Sequence, residues 1–274
     1  MPTTPVRWPC EAIWEDVVPL LPGFTVEVLP EIDSTNAELM RRARNGQLEP
    51  VLLVAERQTA GRGRMGRQWL SGTQATGQTL GATRGSLTFS LGLNLAPTDW
   101  SGLSLAVGLS VAQSLHPDIR LKWPNDLWWH DRKLAGILIE TANWGEVSAS
   151  RYVVMGIGLN IQTPEAAGMS TAPVGLSELL PGVDVGQALM CIAAPLVQTV
   201  QAFAGHGFEP FRAAFNARDA LAQVPVTLSD GLQGIAQGVD ATGALQLHTP
   251  QGVQRVTSSE VSVRAQLAPN YSNF

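Results

Sequence analysis

Cysteine is scarce in this chain. Cys10 and Cys191 are the two among 274 residues, they lie far apart, and neither belongs to a Cys-x-x-Cys pair. That excludes a disulfide framework and a thiolate zinc site. His-Glu-x-x-His and Gly-x-Ser-x-Gly are missing as well, which removes the zincin and nucleophile-elbow patterns. No Gly-Lys dipeptide occurs, so there is no P-loop. Apolar runs fall short of the roughly 18 residues that a membrane span needs. The first twenty residues carry Glu11, Glu15 and Asp16 against Arg7 alone, the wrong charge pattern for a signal or transit peptide. A reducing cytoplasm is the expected setting. His116, His130, His206 and His248 are scattered over turns and helix ends and read as structural or solvated.

Two further scarcities are positional. Of 18 basic residues only Lys122 and Lys133 are lysines, and from Arg57 to Thr98 there is no carboxylate. Arg57, Arg62, Arg64, Arg67 and Arg84 all fall in that stretch. A chain with net charge −5 has therefore kept one segment purely basic. The acidic total argues against a nucleic-acid binder, and the local excess points to an anionic ligand. What is plentiful is apolar: 45% hydrophobic against 15% charged residues is enough for a sizeable core in one large domain or two smaller ones.

Periodicity places the elements. A short helix is expected within 8–21, a strand over 24–29, and a helix opened by a Thr35-x-x-Glu38 capping box and stopped by Asn45-Gly46. Val51 to Ala55 reads as a buried strand, 71–85 as an exposed loop, and 87–95, with alternating apolar residues, as a half-buried strand. Thr98 is expected to cap a helix over 99–115. Strands follow at 119–123, 126–129, 133–141 and 152–161, then helices at 184–204 and 209–217. From Val224 short β runs alternate with turn signals such as Ser229-Asp-Gly231, an all-β module. The expected units are 1–220, 221–266 and a tail over 267–274.

Three stretches can carry chemistry. Gly61-Arg-Gly63-Arg-Met-Gly66 has the letters of a dinucleotide fingerprint, but no helix pattern follows and no acid stands about 20 residues on. What remains is a glycine-rich backbone that can approach an anion, flanked by guanidiniums that offer bidentate hydrogen bonds. Without a counter-ion four arginines in eleven residues would repel one another. Trp69 then reads either as a core aromatic or as a lid on a base. Lys122-Trp-Pro-Asn-Asp126 places Asn125 and Asp126 in a turn between two lysines. Asp126 could hold Mg²⁺ through one oxygen, and Lys133 would be a point charge for a carboxylate or phosphoryl oxygen. Gly156-Ile-Gly158-Leu-Asn160 ends a strand, where the glycines allow close approach of a ligand or of a packed helix.

In order along the chain, Asp33-Ser-Thr-Asn36, Gln58-Thr-Ala-Gly-Arg-Gly-Arg-Met-Gly-Arg-Gln-Trp69, Leu87-Thr-Phe-Ser90, Lys122-Trp-Pro-Asn-Asp126, Arg132-Lys-Leu-Ala-Gly-Ile-Leu-Ile-Glu140 and Gly156-Ile-Gly-Leu-Asn160 resemble the biotin protein ligases. The resemblance implies an α+β fold: a mixed sheet with flanking helices, akin to class II aminoacyl-tRNA synthetases, followed by a small SH3-like β-barrel. It implies ATP and biotin as substrates with Mg²⁺, formation of biotinyl-5′-AMP, and transfer of biotin to a lysine of a biotin carboxyl carrier protein. By the same resemblance Ser34, Thr35, Asn36, Gln58, Arg62, Gly63, Arg64 and Lys133 would serve biotin. Arg64, Arg67, Trp69, Lys122, Asn125 and Asn160 would serve ATP or the adenylate. Arg64, Lys133 and Asp126 would be catalytic, with Asp126 the metal ligand. Only about 23 residues precede the first matched strand, too few for the DNA-binding helix-turn-helix of many bacterial relatives, so ligase activity without repressor activity is expected. Neither DNA nor membrane is an expected partner, and a homodimer is left open. The 71–85 segment is longer than its family counterpart. A lipoate ligase is the nearest enzyme alternative, disfavoured by the Arg-Gly loop and Lys-Trp-Pro-Asn-Asp. A single-strand nucleic-acid groove is the alternative of another class, disfavoured by the acidic charge.

Overall fold

A computed structural model describes residues 6–69, 85–142, 150–166, 169, 171–257 and 263–265. The expected 71–85 loop, Gly85 apart, and the tail over 267–274 lie outside these residues. Seven strands form one sheet in the order β1-β2-β3-β7-β6-β5-β4. They are β1 (Thr25–Leu29), β2 (Val51–Ala55), β3 (Ser86–Leu95), β4 (Arg120–Lys122), β5 (Asp126–Trp129), β6 (Arg132–Ala142) and β7 (Arg151–Asn160). The β1–β2 pair is parallel and every other pair antiparallel, so the sheet is mixed. The β5–β6 hairpin turns on His130 and Asp131, both with positive φ, as a tight turn between twisted strands requires.

The main core lies on one face, under α3 (Leu103–Leu115), α4 (Val185–His206) and α1 (Cys10–Val17). The opposite face carries α2 (Thr35–Arg44), packed by Leu39, Met40 and Ala43 over Leu53, Tyr152 and Val154. This second layer corrects the reading of β3 as half-buried. Thr88 and Ser90, on its polar face, are 2% and 0% exposed: Ser90 bonds Thr35 and Asn36 of α2, and the Thr88 hydroxyl donates to Ala55 O. Two helix starts also differ from the sequence pattern. Ser34, not Thr35, is the N-cap of α2, its Oγ accepting from Ala37 N–H at 3.4 Å, because the Thr35 hydroxyl is turned to Gln58. Glu38 is drawn instead to Arg41 and Arg42. Helix α3 begins at Leu103 behind a left-handed Gly102, and Asp99 accepts from Ser101 N–H in the preceding turn rather than opening the helix.

Among the described residues α4 is the one helix long and apolar enough to cross a membrane. Its Leu189, Ile192, Leu196, Val200 and Phe203 face the core instead, and an Asp184–Gln187 capping box closes its first turn.

After α5 (Glu209–Ala217) come β8 (Pro225–Leu228), β9 (Gln233–Val239), β10 (Leu245–Thr249), β11 (Gly252–Val256) and β12 (Val263–Ala265). They form an antiparallel sheet in the order β11-β10-β9-β8-β12. Asp240 ties its central turn, accepting from Thr242 and Ala244 N–H and pairing with Arg255. Burial raises the Asp240 pKa, but these partners prevail and hold it at about 2. The sheet is fastened to the strand–turn at 121–123. Leu121 bridges Asp219, Lys122 Nζ donates to Val263 O at 2.8 Å, and Trp123 Nε1 donates to Gly243 O at 3.1 Å.

Candidate active site

A cavity of about 540 Å³ opens over the middle of the mixed sheet. Every residue expected from the sequence to serve ligand lines it: Ser34, Thr35, Asn36, Gln58, Arg62, Gly63, Arg64, Arg67, Trp69, Lys122, Asn125, Asp126, Lys133 and Asn160. They come from the α2 N-terminus, the loop after β2, the β4–β5 turn and the facing stretches of β6 and β7.

Strand register explains the Gly156-Ile-Gly158 motif. Gly156 on β7 lies between Ser90 of β3 and Leu138 of β6; Gly158 lies between Thr88 and Gly136. The Asn36 side chain sits over Gly156 and the Trp69 ring over Gly158, so close that a Cβ on either glycine would overlap them. Asn36 is then held by the strands beside it. Its Oδ1 accepts from Ser90 Oγ at 2.7 Å, and its Nδ2 donates to Leu138 O at 3.2 Å and Glu140 Oε2 at 2.9 Å. Both amide hydrogens are engaged, which fixes its orientation. The glycines thus admit side chains of the protein itself.

The Arg-Gly loop is a small hairpin. Gly63 N–H donates to Arg67 O at 2.8 Å and Trp69 N–H to Gly61 O at 2.9 Å, around a 3₁₀ turn over Arg64–Gly66. Met65 at its tip has φ 56° and is 58% exposed. Two of the arginines meet carboxylates that the sequence places far away: Arg57 pairs with Glu31, and Arg62 with Glu140 at 3.2 Å. The expectation of mutual repulsion is corrected for these two. Distant elements supply counter-ions that the local sequence lacks.

Asp126 is the electrostatic centre of the remaining cations. Its Oδ1 accepts from Lys133 Nζ at 2.7 Å. Burial lowers the pKa of Arg64 and of Lys122, and in each case the Asp126 charge opposes it. Arg67, Lys133 and Arg264 are near enough to Lys122 to push in the same direction as burial. Three basic groups, Lys133, Arg64 and Lys122, thus interact with one carboxylate in a partly desolvated cavity, with Arg67 and Arg264 close to Lys122. Asn125 orients the cluster, accepting from Arg64 Nη1 at 3.4 Å while its Nδ2 donates to Ile137 O at 2.9 Å.

Several expected ligand contacts are occupied by the protein. The Lys122 ammonium lies on Val263 O and 4.9 Å from the centroid of Trp128. Asn160 Nδ2 donates to Lys133 O at 3.3 Å and Val174 O at 3.2 Å, tying down the backbone beneath Lys133. Ser34 caps α2. Thr35 N–H and Oγ1 both reach Gln58 Oε1, at 2.8 and 3.2 Å. Trp69 Nε1 is buried with no acceptor among the described residues. Arg264, Val263, Ser90 and Glu140 were given no role by the sequence. A lone Arg in a β run carries no signal, and Ser90 and Glu140 sit inside recognised stretches without a pattern of their own. Among the described residues Asp126 is the one carboxylate lining the cavity, and no group of three or more metal-ligating side chains occurs. One carboxylate beside basic groups in the cavity is nevertheless a donor set that suits Mg²⁺, which binds through one or two carboxylates plus substrate phosphates.

Comparison with known proteins agrees with this geometry. The family model described as "Biotin/lipoate A/B protein ligase family" matches residues 28–160, and that of the "Biotin protein ligase C terminal domain" matches residues 223–264. The chain is 33% identical over 255 residues to the bifunctional ligase/repressor BirA of Escherichia coli, covering 89% of this chain and 76% of that one. It is 32% identical to the biotin–[acetyl-CoA-carboxylase] ligase of Paracoccus denitrificans, covering 85% and 98%. Among solved structures, the Aquifex aeolicus biotin protein ligase in complex with biotin and ATP superposes with a TM-score of 0.73 at 27% identity, covering 88% of this chain and 99% of that one. The chain belongs to the biotin protein ligase family.

Proposed function

We propose that the protein is an ATP-dependent biotin–[biotin carboxyl carrier protein] ligase of the cytoplasm. The observation that carries this reading is that one cavity joins a neutral polar cluster to a strongly basic one. The neutral groups around Thr35 and Gln58 suit an uncharged polar ring system. The basic groups around Asp126 suit a carboxylate and a triphosphate. Two anions must meet before they react, and fixed cations in a low-dielectric site offset their repulsion without reorganising.

In the first step a biotin carboxylate oxygen forms a bond to the α-phosphorus of ATP, and pyrophosphate leaves. Arg64, held by Asn125, and Lys133, held by Asp126, are placed to bind the carboxylate and the α-phosphate. Arg67 and Lys122 add charge for the departing pyrophosphate. Mg²⁺ would be held by Asp126 together with the phosphates and would neutralise their charge. In the second step the amine of the carrier lysine attacks the acyl carbon, the bond to AMP breaks, and the amine loses a proton. A second cavity of about 440 Å³ shares Arg64, Met65, Pro124, Ile137 and Leu138 with the first, and we assign the lysine's approach to that side. The same placement supports ligase action without DNA binding, since Arg62, Arg64 and Arg67 line a cavity. The test is biotin-dependent exchange of labelled pyrophosphate into ATP, with lipoate in place of biotin as the control. Exchange supported by lipoate as well as by biotin would refute the substrate assignment.

A further inference from the structure

We infer that Glu140 is a positioning residue for the biotin end of the site, acting as the clasp that docks the Arg-Gly loop onto the sheet through Arg62. Glu140 does not line the cavity. It stands on β6 two residues beyond Leu138, on the face that α2 covers, with a side chain 22% exposed. Oε2 accepts from Asn36 Nδ2 at 2.9 Å, and Oε1 pairs with Arg62 Nη1 at 3.2 Å.

These contacts close a circuit. Gln58 at the start of the loop bonds Thr35, Thr35 bonds Ser90, Ser90 bonds Asn36, Asn36 bonds Glu140, and Glu140 returns to Arg62, four residues after Gln58. The circuit runs through α2, β3 and β6 and pins the loop at two points. Only one link in it is ionic. A carboxylate taken partly out of water needs a cation beside it, and Arg62 supplies one from the segment that must be docked. Asn36 cannot satisfy Glu140 alone, because it brings one hydrogen and no charge. Glu140 therefore couples the orientation of Asn36 to the docking of Arg62, and both groups line the cavity where biotin is proposed to bind.

Glu140→Gln separates the two functions. The carbonyl oxygen of Gln can still accept from Asn36, while its amide faces the Arg62 guanidinium with a donor against a donor. Since Arg62 is 53% exposed, the effect is that of a half-solvated ion pair. We expect the biotin KM in pyrophosphate exchange to rise about fivefold, with the ATP KM and kcat near those of the parent. Arg62→Gln should give a similar rise, and the double variant no further rise, because both remove one interaction. Glu140→Asp, which keeps the charge on a shorter arm, should recover part of the loss. Backbone amides of 61–69 should exchange faster in Glu140→Gln without ligand. A merely structural Glu140 would lower melting temperature and kcat and leave the biotin KM alone. An unchanged biotin KM, or additive single effects, would overturn the inference. It rests on the proposed biotin reading of the cavity, and the two fail differently: a parent enzyme without biotin-dependent exchange refutes that reading, whereas an active parent matched by Glu140→Gln refutes only the clasp.

Discussion

The Trp69 ring lies directly over Gly158, and adding one methyl group tests what that contact does. In Gly158→Ala the new Cβ would lie 2.7 Å from both Cδ2 and Cζ2 of Trp69 and nearer still to Cε2. Ordinary carbon–carbon contact is about 3.5–4.0 Å, so something must move by roughly 1 Å. The backbone cannot, because β7 is paired at this point with β3 on one side and β6 on the other. Trp69 can, since it is half-buried, follows the loop hairpin and has no acceptor for Nε1 among the described residues. The ring is therefore pushed into the cavity, where the nucleotide is proposed to sit. Misplacement by about 1 Å costs on the order of 100-fold in a preorganised site, about 2.7 kcal/mol.

We expect Gly158→Ala to lose on the order of 100-fold in kcat/KM for ATP in pyrophosphate exchange. Biotin affinity, measured by calorimetry without ATP, should stay within threefold. Stability should fall by less than about 1 kcal/mol, because the ring has somewhere to go. Gly156→Ala is the comparison. There the added Cβ would lie 2.8 Å from Asn36 Cγ, and Asn36 is 3% exposed and bonded on both sides. That strain cannot relax outward, so this variant should lose 1–3 kcal/mol of stability and bind biotin poorly. An ATP KM and kcat unchanged in Gly158→Ala would show that Trp69 takes no part at the nucleotide.

Three other perturbations have defined outcomes. Arg64→Ala should lower adenylate formation about 10- to 150-fold, the weight of a charge-assisted hydrogen bond, with little change in melting temperature; full exchange activity would remove Arg64 from the reacting groups. Lys133→Arg keeps the charge but replaces a compact ammonium, seated 2.7 Å from Asp126, with a wide planar fork. Single-turnover formation of biotinyl-5′-AMP should drop on the order of 100-fold, and a normal rate would make Lys133 a solvated strand-end residue. Asp219 is 6% exposed, its Oδ2 has no partner among the described residues, and burial pushes its pKa up to about 6. The folded state thus holds this proton more tightly than the unfolded one, so stability should fall as pH rises from about 4 to about 6 and then level off, by on the order of 2–3 kcal/mol. Asp219→Asn should abolish that slope and be the more stable protein at pH 7, whereas parallel melting curves from pH 4 to 7 would refute it.

Much of the fold was legible because its signals are local. The runs at Val51–Ala55, Lys133–Thr141 and Tyr152–Ile161 are strands in the structure to within one residue or so, and their near-continuous apolar character is what burial on both faces requires. What failed was set by groups remote in sequence. Strand β3 alternates like a half-buried strand, and the placement of α2 over Ser90 removes part of its second face from water. The frame of the α2 cap is ambiguous by one residue until Gln58, 23 positions away, claims Thr35. Repulsion among the arginines is what a carboxylate-free stretch from Arg57 to Thr98 suggests, and the pairs of Arg57 and Arg62 overturn it. Glu140, which meets Arg62 across the sheet, cannot be found by looking along the chain.

The recognised stretches differ in what they encode, and Lys122-Trp-Pro-Asn-Asp126 shows why spacing alone did not separate their roles. Its first two residues point toward the C-terminal sheet: Lys122 to Val263 and Trp123, fully buried, to Gly243. Its last two point into the cavity, Asn125 to Arg64 and Asp126 to Lys133. The Trp123–Pro124 peptide between them is cis. Five residues therefore join two sheets and orient two cations at once: Lys122, Trp123 and Asn125 are each constrained by a different partner more than 60 residues away, and Asp126 by one seven residues on. A reading of side-chain chemistry assigns Lys122, Asn125 and Asp126 to ligand, since each is a competent donor or acceptor. The fold divides them, and the division follows burial. A lysine pressed against Trp128 with its ammonium on a carbonyl keeps its charge beside the cavity at a fixed place. Asp126 holds Lys133 with one oxygen and leaves the other for what enters.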